Sequence, residues 1–205
     1  VRYKTLEDGD SLALHIFKPR NMQAGEKRPA IVYFFGGGWK GTPIQFYREC
    51  AYYASKGMVA VSVDYRIGYL HHSTPFESFE DAKDAICWLR SHASDYQLDP
   101  DKIAVAGGSA GGHLAAALGT IGSDETVPAG YRPNLSLLYY PVIDMVSRGY
   151  GFPEIKRDFE KISPIHHVSE ATPSTLILLG TKDPIVSVET IEAYQDKLLQ
   201  KGVDC

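Results

Sequence analysis

One stretch of the sequence, IAVAGGSAGGHL at residues 103–114, decides the fold. Its first part, residues 103–107, is apolar throughout and predicts a strand buried on both faces of a sheet. The Ala- and Leu-rich residues 110–121 predict a helix directly after that strand. Glycines surround Ser109 between the two, as a sharp strand-to-helix turn requires, because a Cβ beside the turn would clash with neighbouring backbone. This stretch therefore predicts one strand-turn-helix unit of a parallel α/β sheet.

The rest of the chain repeats the same alternation. An Asp8-Gly9 turn between two alternating segments predicts an antiparallel hairpin at the N-terminus. Further strands are predicted at 30–35, 59–64, 135–140 and 175–179, and further helices at 46–53, 79–93 and 187–201. We therefore predict a single domain over residues 1–205: α/β, with a mostly parallel, doubly wound sheet, an antiparallel N-terminal hairpin and helices on both faces. In such folds ligands bind at the carboxyl ends of the strands.

Composition narrows the classes of function. The 205 residues carry a net charge of -4 without a basic stripe, which argues against a nucleic-acid partner. No apolar run is long enough for a membrane span. Three cysteines, Cys50, Cys87 and Cys205, are odd in number and far apart, so the sequence indicates neither a disulfide framework nor a metal site. Because the chain begins with Val1, a removed leader stays open, and the sequence assigns no localisation and no oligomeric state.

Ser109 is the candidate nucleophile. Gly107-Gly108-Ser109-Ala110-Gly111 matches GxSxG, and the predicted strand before it and helix after it are the context in which that motif exposes a reactive hydroxyl. The N-H groups and positive dipole at the start of the helix favour the negative charge that develops during acyl transfer. The competing interpretation is a glycine-rich turn that contains a serine by chance.

A glycine triplet, Gly36-Gly37-Gly38, follows the strand at 30–35. Backbone N-H groups free of secondary structure and unobstructed by side chains suit an oxyanion hole. The same region offers an alternative, because Gly36, Gly38 and Gly41 match the GxGxxG of a dinucleotide-binding site, with Asp64 at the expected distance. Against that alternative, Thr42 and Pro43 precede the helical periodicity, and the dinucleotide reading leaves Ser109 unexplained.

Asp183 is the candidate acid of a catalytic triad. It follows the strand at 175–179, where a loop at the active edge would project a carboxylate towards an imidazole. The order Ser then Asp then His is also that of GxSxG hydrolases. The alternative role for Asp183 is to cap the loop before Pro184. Asp144, after the strand at 135–140, is the second candidate acid, with a surface or capping role favoured for it.

These motifs together resemble the α/β-hydrolases of the hormone-sensitive-lipase-like and bifunctional feruloyl/acetyl-xylan esterase group. The resemblance spans nearly the whole chain and rests on Gly36-Gly37-Gly38, Val63-Asp64-Tyr65-Arg66, Glu80-Asp81-Ala82, Trp88-Leu89, GGSAGGHL, Tyr140-Pro141, Ser163-Pro164 and Leu179-Gly180-Thr181-Lys182-Asp183.

The resemblance implies an α/β-hydrolase fold and a serine esterase that needs no cofactor and no metal. Its partner would be a small-molecule ester with a short or carbohydrate-linked acyl group, such as acetyl or feruloyl. Ser109 would be the nucleophile and Asp183 the triad acid, and the N-H groups of Gly37, Gly38 and Ala110 would form the oxyanion hole. The region from Met145 to Phe159 would form part of the pocket wall.

Two departures from the group's pattern matter. Phe35 stands where the group has the His of HGGG, which predicts the loss of a hydrogen bond that orients the glycine loop. No histidine follows Asp183, so the triad base is expected outside these residues, and 201–205 resembles the entry to a further strand. His113 is expected to pack beneath the Ser109 turn. Two other functions stay open: an inactive module of the same fold, and a peptidase or amidase.

Overall fold

The computed structural model describes residues 1–122, 129–145 and 158–205. Its strands are β1 Arg2–Thr5, β2 Ser11–Phe17, β3 Arg28–Phe34, β4 Val59–Val63, β5 Leu98–Gly108, β6 Leu135–Tyr139 and β7 Thr175–Leu178. Its α-helices are α1 Tyr47–Ser55, α2 Gly68–His71, α3 Pro75–Ser91, α4 Ala93–Tyr96, α5 Ala110–Thr120 and α6 Val188–Gln200. Short 3-10 helices lie at Pro43–Phe46, Ala129–Tyr131, Phe159–Ile162 and Pro164–His166. None of the helices within these ranges is long and apolar enough to cross a membrane.

The strands form one seven-stranded sheet in the order β1-β2-β4-β3-β5-β6-β7. The hairpin of β1 and β2 is antiparallel, and β2 pairs antiparallel with β4. All other neighbouring strands are parallel. The predicted mostly parallel sheet with an antiparallel opening is confirmed.

Helices cover both faces of the sheet. On one face, Tyr33 of β3 stacks on Phe46, which directly precedes α1, with ring centroids 4.8 Å apart. On the other face, a Cβ on Gly119 of α5 would lie 3.4 Å from the Ser136 hydroxyl of β6. The central strands are buried on both sides, as their continuous apolar runs predict: all five residues of β4 are buried.

A buried carboxylate ties the hairpin to the helical layer. Asp81 of α3 is fully buried and accepts hydrogen bonds from Lys4 Nζ at 2.6 Å and from Arg66 Nε at 2.8 Å. The backbone N-H of Arg66 donates to the same carboxylate at 2.9 Å. Burying a charge is unfavourable unless it is paired, and two cations from two other elements pair this one.

Two predicted boundaries were wrong. The helix expected at 79–93 begins earlier, at Pro75 behind a capping box formed by Thr74 and Glu77, and it ends at Ser91. His92 leaves helical geometry, its ring stacks on Trp88 at 3.9 Å, and a separate turn begins at Ala93. The strand expected at 103–107 begins at Leu98, because Leu98 pairs with Arg28 of β3 ahead of the apolar run.

One face of the sheet exposes apolar side chains to solvent at the edge formed by β6 and β7. Leu176 and Leu178 of β7 are 55% and 47% exposed, and Leu135 of β6 is 44% exposed. Leu137 pairs with Leu176 across the two strands, so these side chains share one face. The N-H of Thr175 donates to the carbonyl of Asp204 at 2.9 Å, which brings residue 204 against β7.

Candidate active site

The candidate site lies where the strand order reverses. β3 is flanked by β4 on one side and β5 on the other, and Phe34 pairs with Gly107 where β3 and β5 approach their carboxyl ends. Crevices of this kind are the ligand sites of doubly wound sheets. The glycine triplet follows β3 and Ser109 follows β5, so the fold brings these two predicted features side by side.

Ser109 has an unusual backbone. Its φ and ψ are 53° and −117°, a combination that residues with a Cβ rarely adopt. Its N-H donates to the Tyr139 carbonyl at 3.0 Å, and its carbonyl accepts from the His113 N-H at 2.9 Å. The backbone is thereby held on both sides, while the half-buried side chain makes no hydrogen bond to any residue of the described ranges.

The glycines around Ser109 are sterically required. A Cβ on Gly107 would overlap the carbonyl of Gly111, and a Cβ on Gly111 would overlap the carbonyl of Phe34. Helix α5 can therefore pass directly beneath the ends of β3 and β5 only without side chains at these positions.

The glycine triplet presents free donors beside this turn. Gly36 is buried, and a Cβ there would lie 2.6 Å from the Gly108 carbonyl and 3.4 Å from the Ser109 Cβ. Gly37 and Gly38 have positive φ values of 79° and 62°. Within the described chain, the N-H groups of Gly37, Gly38 and Ala110 donate no hydrogen bond. They are therefore available to an oxygen bound from outside.

The dinucleotide-binding alternative fails on helix position. A Rossmann fingerprint needs a helix that starts within the glycine-rich turn. Here residues Pro43–Phe46 form a 3-10 helix, and α1 begins only at Tyr47. Gly41 packs instead against the loop itself, since a Cβ there would lie 2.5 Å from the Gly36 carbonyl.

Asp183 lies in the loop after β7 and caps it. Its Oδ1 accepts hydrogen bonds from the N-H groups of Ile185 at 2.8 Å and Val186 at 2.9 Å. These donors stabilise the carboxylate and lower the pKa of Asp183. Oδ2 accepts no hydrogen bond from the residues the structure describes. The capping role considered from the sequence is thus present, and a second oxygen is left to accept from an imidazole.

Six of the seven histidines make a hydrogen bond, a ring stack or a close contact with a side chain or backbone group of a residue other than Ser109. His15 contacts the Tyr47 hydroxyl at 2.7 Å, and His167 contacts the Glu160 carbonyl at 2.9 Å. His71 accepts from the Ile67 N-H, His92 stacks on Trp88, and His72 is the residue directly after α2. His166 lies 3.8 Å from Asp144, the second candidate acid. No hydrogen bond joins an imidazole to Ser109 within the described ranges.

His113 packs beneath the Ser109 turn, as expected. It is fully buried, and its Nε2 donates to the Ile162 carbonyl at 2.7 Å. Its Nδ1 has no hydrogen-bond partner in the described part of the chain. Burial disfavours the charged imidazole and lowers the pKa of His113 from 6.5 to about 4, so His113 is neutral at physiological pH.

Three residues that sequence analysis did not assign to the site also shape it. Gln45 accepts from the Gly36 N-H through its Oε1 at 2.6 Å. The Tyr65 hydroxyl donates to the Phe35 carbonyl at 2.6 Å, and the two rings stack at 3.9 Å. Tyr140 has a positive φ of 38°, and its hydroxyl would lie 3.0 Å from a Cβ on Gly108. Two motifs of the α/β-hydrolase resemblance include the tyrosines among these residues: Tyr140-Pro141 and Val63-Asp64-Tyr65-Arg66. No motif in the sequence indicated a role for Gln45.

The pocket wall predicted from Met145 to Phe159 lies largely outside the described residues, which end at Met145 and resume at residue 158. Among the residues described, no three His, Cys, Asp or Glu side chains form a group that could hold a metal ion.

Solved structures of known enzymes share this fold. An esterase from Thermogutta terrifontis superposes with a TM-score of 0.91 and is 36% identical, covering 100% of this chain and 78% of that chain. The same esterase has also been solved with propionate bound. The fold and the serine-bearing turn therefore define an α/β-hydrolase.

Family membership follows from the sequence match. The BD-FAE family model matches residues 14–151, and the chain belongs to that family. It is similar to Esterase LipC of Mycobacterium tuberculosis, 28% identical over 93% of this chain and 53% of LipC. It is also similar to an acetylxylan esterase of Xylanibacter ruminicola, 26% identical over 98% of this chain and 42% of that enzyme. The chain spans about half the length of these curated relatives.

Proposed function

We propose that the protein containing this chain is a carboxylic-ester hydrolase that works through an acyl-serine at Ser109. The observation that carries the proposal is the juxtaposition at the strand crossover. There a serine held in a strained turn lies against a glycine loop, and among the described residues neither its hydroxyl nor the N-H groups of Gly37 and Gly38 make a hydrogen bond. Esterases among the relatives and structural neighbours support it.

The proposed reaction has two halves. Ser109 Oγ attacks the ester carbonyl carbon while a histidine takes the hydroxyl proton, and the negative oxygen accepts hydrogen bonds from Gly37, Gly38 and Ala110. The tetrahedral intermediate collapses, and the alcohol leaves with the proton from the histidine. Water then attacks the acyl-serine with the same histidine as base, which releases the carboxylic acid and restores Ser109.

The histidine is proposed to come from outside these 205 residues. None of the seven present is hydrogen bonded to Ser109 in the described ranges, and none follows Asp183. The relatives continue well beyond the matched length. The exposed apolar face of β7, next to the Asp183 loop, is where a further segment would find a surface to pack on. Asp183 Oδ2 would orient the imidazole.

For the substrate, we propose an ester of a short acyl group, with acetyl on carbohydrate as the first candidate. The similarity to an acetylxylan esterase and the propionate complex of the Thermogutta terrifontis esterase support a short acyl group.

The test compares the full-length protein with its Ser109→Ala variant. We expect hydrolysis of p-nitrophenyl acetate and acetylated xylan by the full-length protein, covalent labelling of Ser109 by a fluorophosphonate, and loss of both in the variant. The isolated 205-residue chain should turn over far more slowly than a version extended by about 30 to 60 residues, roughly the length of one more strand, helix and loop.

Two results would contradict the proposal. A full-length protein that neither hydrolyses esters nor labels at Ser109 is an inactive module of this fold. One that hydrolyses an acetyl amide faster than the matched acetyl ester is an amidase.

A further inference from the structure

The N-H of Gly36 has a side-chain acceptor from another segment of the chain. Gly36 is buried, and a buried backbone donor without an acceptor is costly. In this chain the donor is satisfied by Gln45 Oε1 at 2.6 Å. Phe35 stands where the HGGG pattern has its histidine, and its side chain has no polar atom with which to hold the loop by a hydrogen bond; its ring stacks on Tyr65 instead.

Gln45 is fixed on the far side of the same loop. It lies in the 3-10 helix Pro43–Phe46, whose first residue accepts a hydrogen bond from the Ser62 hydroxyl at 2.7 Å. The last residue, Phe46, is buried against Tyr33. The backbone of Gln45 is therefore anchored to β3 and β4, and its side chain reaches back to Gly36 and closes the loop.

The position of Gly36 sets the distance between the glycine loop and Ser109. A Cβ on Gly36 would be 2.6 Å from the Gly108 carbonyl oxygen, so the backbone of the loop lies directly against the backbone that precedes Ser109. With the Gly36 N-H engaged by Gln45, the next two N-H groups are the ones left free. A small rotation of the Gly36 peptide would redirect them.

We infer that Gln45 is a positioning residue for the oxyanion-binding loop, in place of the histidine that this chain lacks. The inference rests on the proposed function of Ser109 and the loop, and it adds a residue outside both motifs. Gln45 touches no reacting atom; it acts through Gly36. An amide suits the role because it accepts a hydrogen bond without bringing a negative charge towards the oxygen that becomes negative in the reaction.

Two variants of the full-length protein test the inference. Gln45→Met keeps the length of the side chain and removes the acceptor, and Gln45→Glu keeps an acceptor and adds a charge. Gln195→Met on the exposed surface of α6 is the matched control. The readouts are kcat and KM for p-nitrophenyl acetate, thermal midpoint, and inhibition by a trifluoromethyl alkyl ketone, whose serine adduct places an oxyanion in the loop.

We expect Gln45→Met to lower kcat at least about tenfold, less than the roughly hundredfold or greater loss typical of deleting a direct donor. Its KM should stay within about twofold, and ketone affinity should fall in parallel with kcat/KM. Because Gln45→Met leaves the buried N-H of Gly36 without an acceptor, its thermal midpoint should fall below that of Gln195→Met. Gln45→Glu should also have a lower kcat and a lower affinity for the ketone, while its thermal midpoint should stay unchanged.

The outcomes separate this inference from the proposed function. If the wild-type protein hydrolyses the ester and Gln45→Met keeps its kcat within about twofold, the role of Gln45 is refuted while the esterase stands. A Gln45→Met variant whose lower rate comes with a lower thermal midpoint and unchanged ketone affinity also refutes it. If the wild-type protein itself shows no turnover and no labelling of Ser109, the proposed function fails first.

Discussion

The buried imidazole of His113 predicts a specific dependence of stability on pH. Its pKa is about 4 in the folded protein against 6.5 as the ordinary value, because burial disfavours the charged ring. Between pH 6.5 and 4 the unfolded chain binds a proton at His113 that the folded chain does not bind. Stability from this group is therefore complete above pH 6.5 and is lost as the pH falls towards 4.

The size of this loss follows from the two pKa values. A separation of about 2.5 pH units at about 1.4 kcal/mol per unit gives about 3 kcal/mol, most of it lost between pH 6.5 and 4.5. The His113→Gln variant keeps a neutral N-H donor for the Ile162 carbonyl but does not titrate. Relative to this variant, the wild-type chain should lose about 3 kcal/mol of unfolding free energy on acidification.

The assay is urea unfolding followed by tryptophan fluorescence at intervals from pH 7.5 to 4.5, on wild type, His113→Gln and the control His92→Gln. Other groups that titrate over this range do so in all three proteins and cancel in the differences. His92→Gln controls for the replacement of an imidazole outside the buried core. If the His113→Gln curve runs parallel to wild type, burial does not hold His113 neutral and the explanation is wrong.

Two further predictions concern packing and charge. Gly111→Ala should destabilise the fold by about 2 kcal/mol or more, because its Cβ would overlap the carbonyl beneath it. Gly180→Ala, with open space around it, should stay within about 0.5 kcal/mol in the same urea titration, and equal midpoints for the two would contradict the close approach of α5 to β3. Asp81→Asn should cost about 3 kcal/mol by leaving two cations without their buried partner. Asp84→Asn, 53% exposed, should cost less than about 1 kcal/mol, and a reversal of that order in chemical denaturation would refute the account of the charge network.

The sheet could be predicted because its central strands are buried on both faces. Continuous apolar runs at β3, β4 and β5 mark such strands without knowledge of their neighbours. The turn at Ser109 could also be predicted, since close packing of backbone against backbone permits only glycine at Gly107 and Gly111. In both cases the constraint on the residue type is local.

The ends of helices were less predictable where a contact between side chains decides them. Apolar spacing continues from Leu89 to Ala93 and favours one helix, but the stacking of His92 on Trp88 accompanies a break between α3 and α4. Periodicity reports which face is buried, and it does not report whether the backbone stays helical between two buried positions.

The features of the site that could not be predicted from the sequence are hydrogen bonds between separate segments of the chain. Gln45 reaches Gly36 across a nine-residue separation, and its sequence neighbourhood carries no motif. Asp183 could be placed at the active edge from its strand, but its capping bonds depend on the path of the following loop. Side chains that act by closing a loop leave no periodic signal in the sequence.

The backbone of Ser109 has a consequence for how this protein evolves. Its φ of 53° costs a residue with a Cβ on the order of 1 to 3 kcal/mol, and glycine would be free of that strain. A population selected only for heat resistance would therefore accumulate Ser109→Gly, while selection on ester turnover would remove it. The identity of one residue would then record which of the two pressures a lineage has experienced.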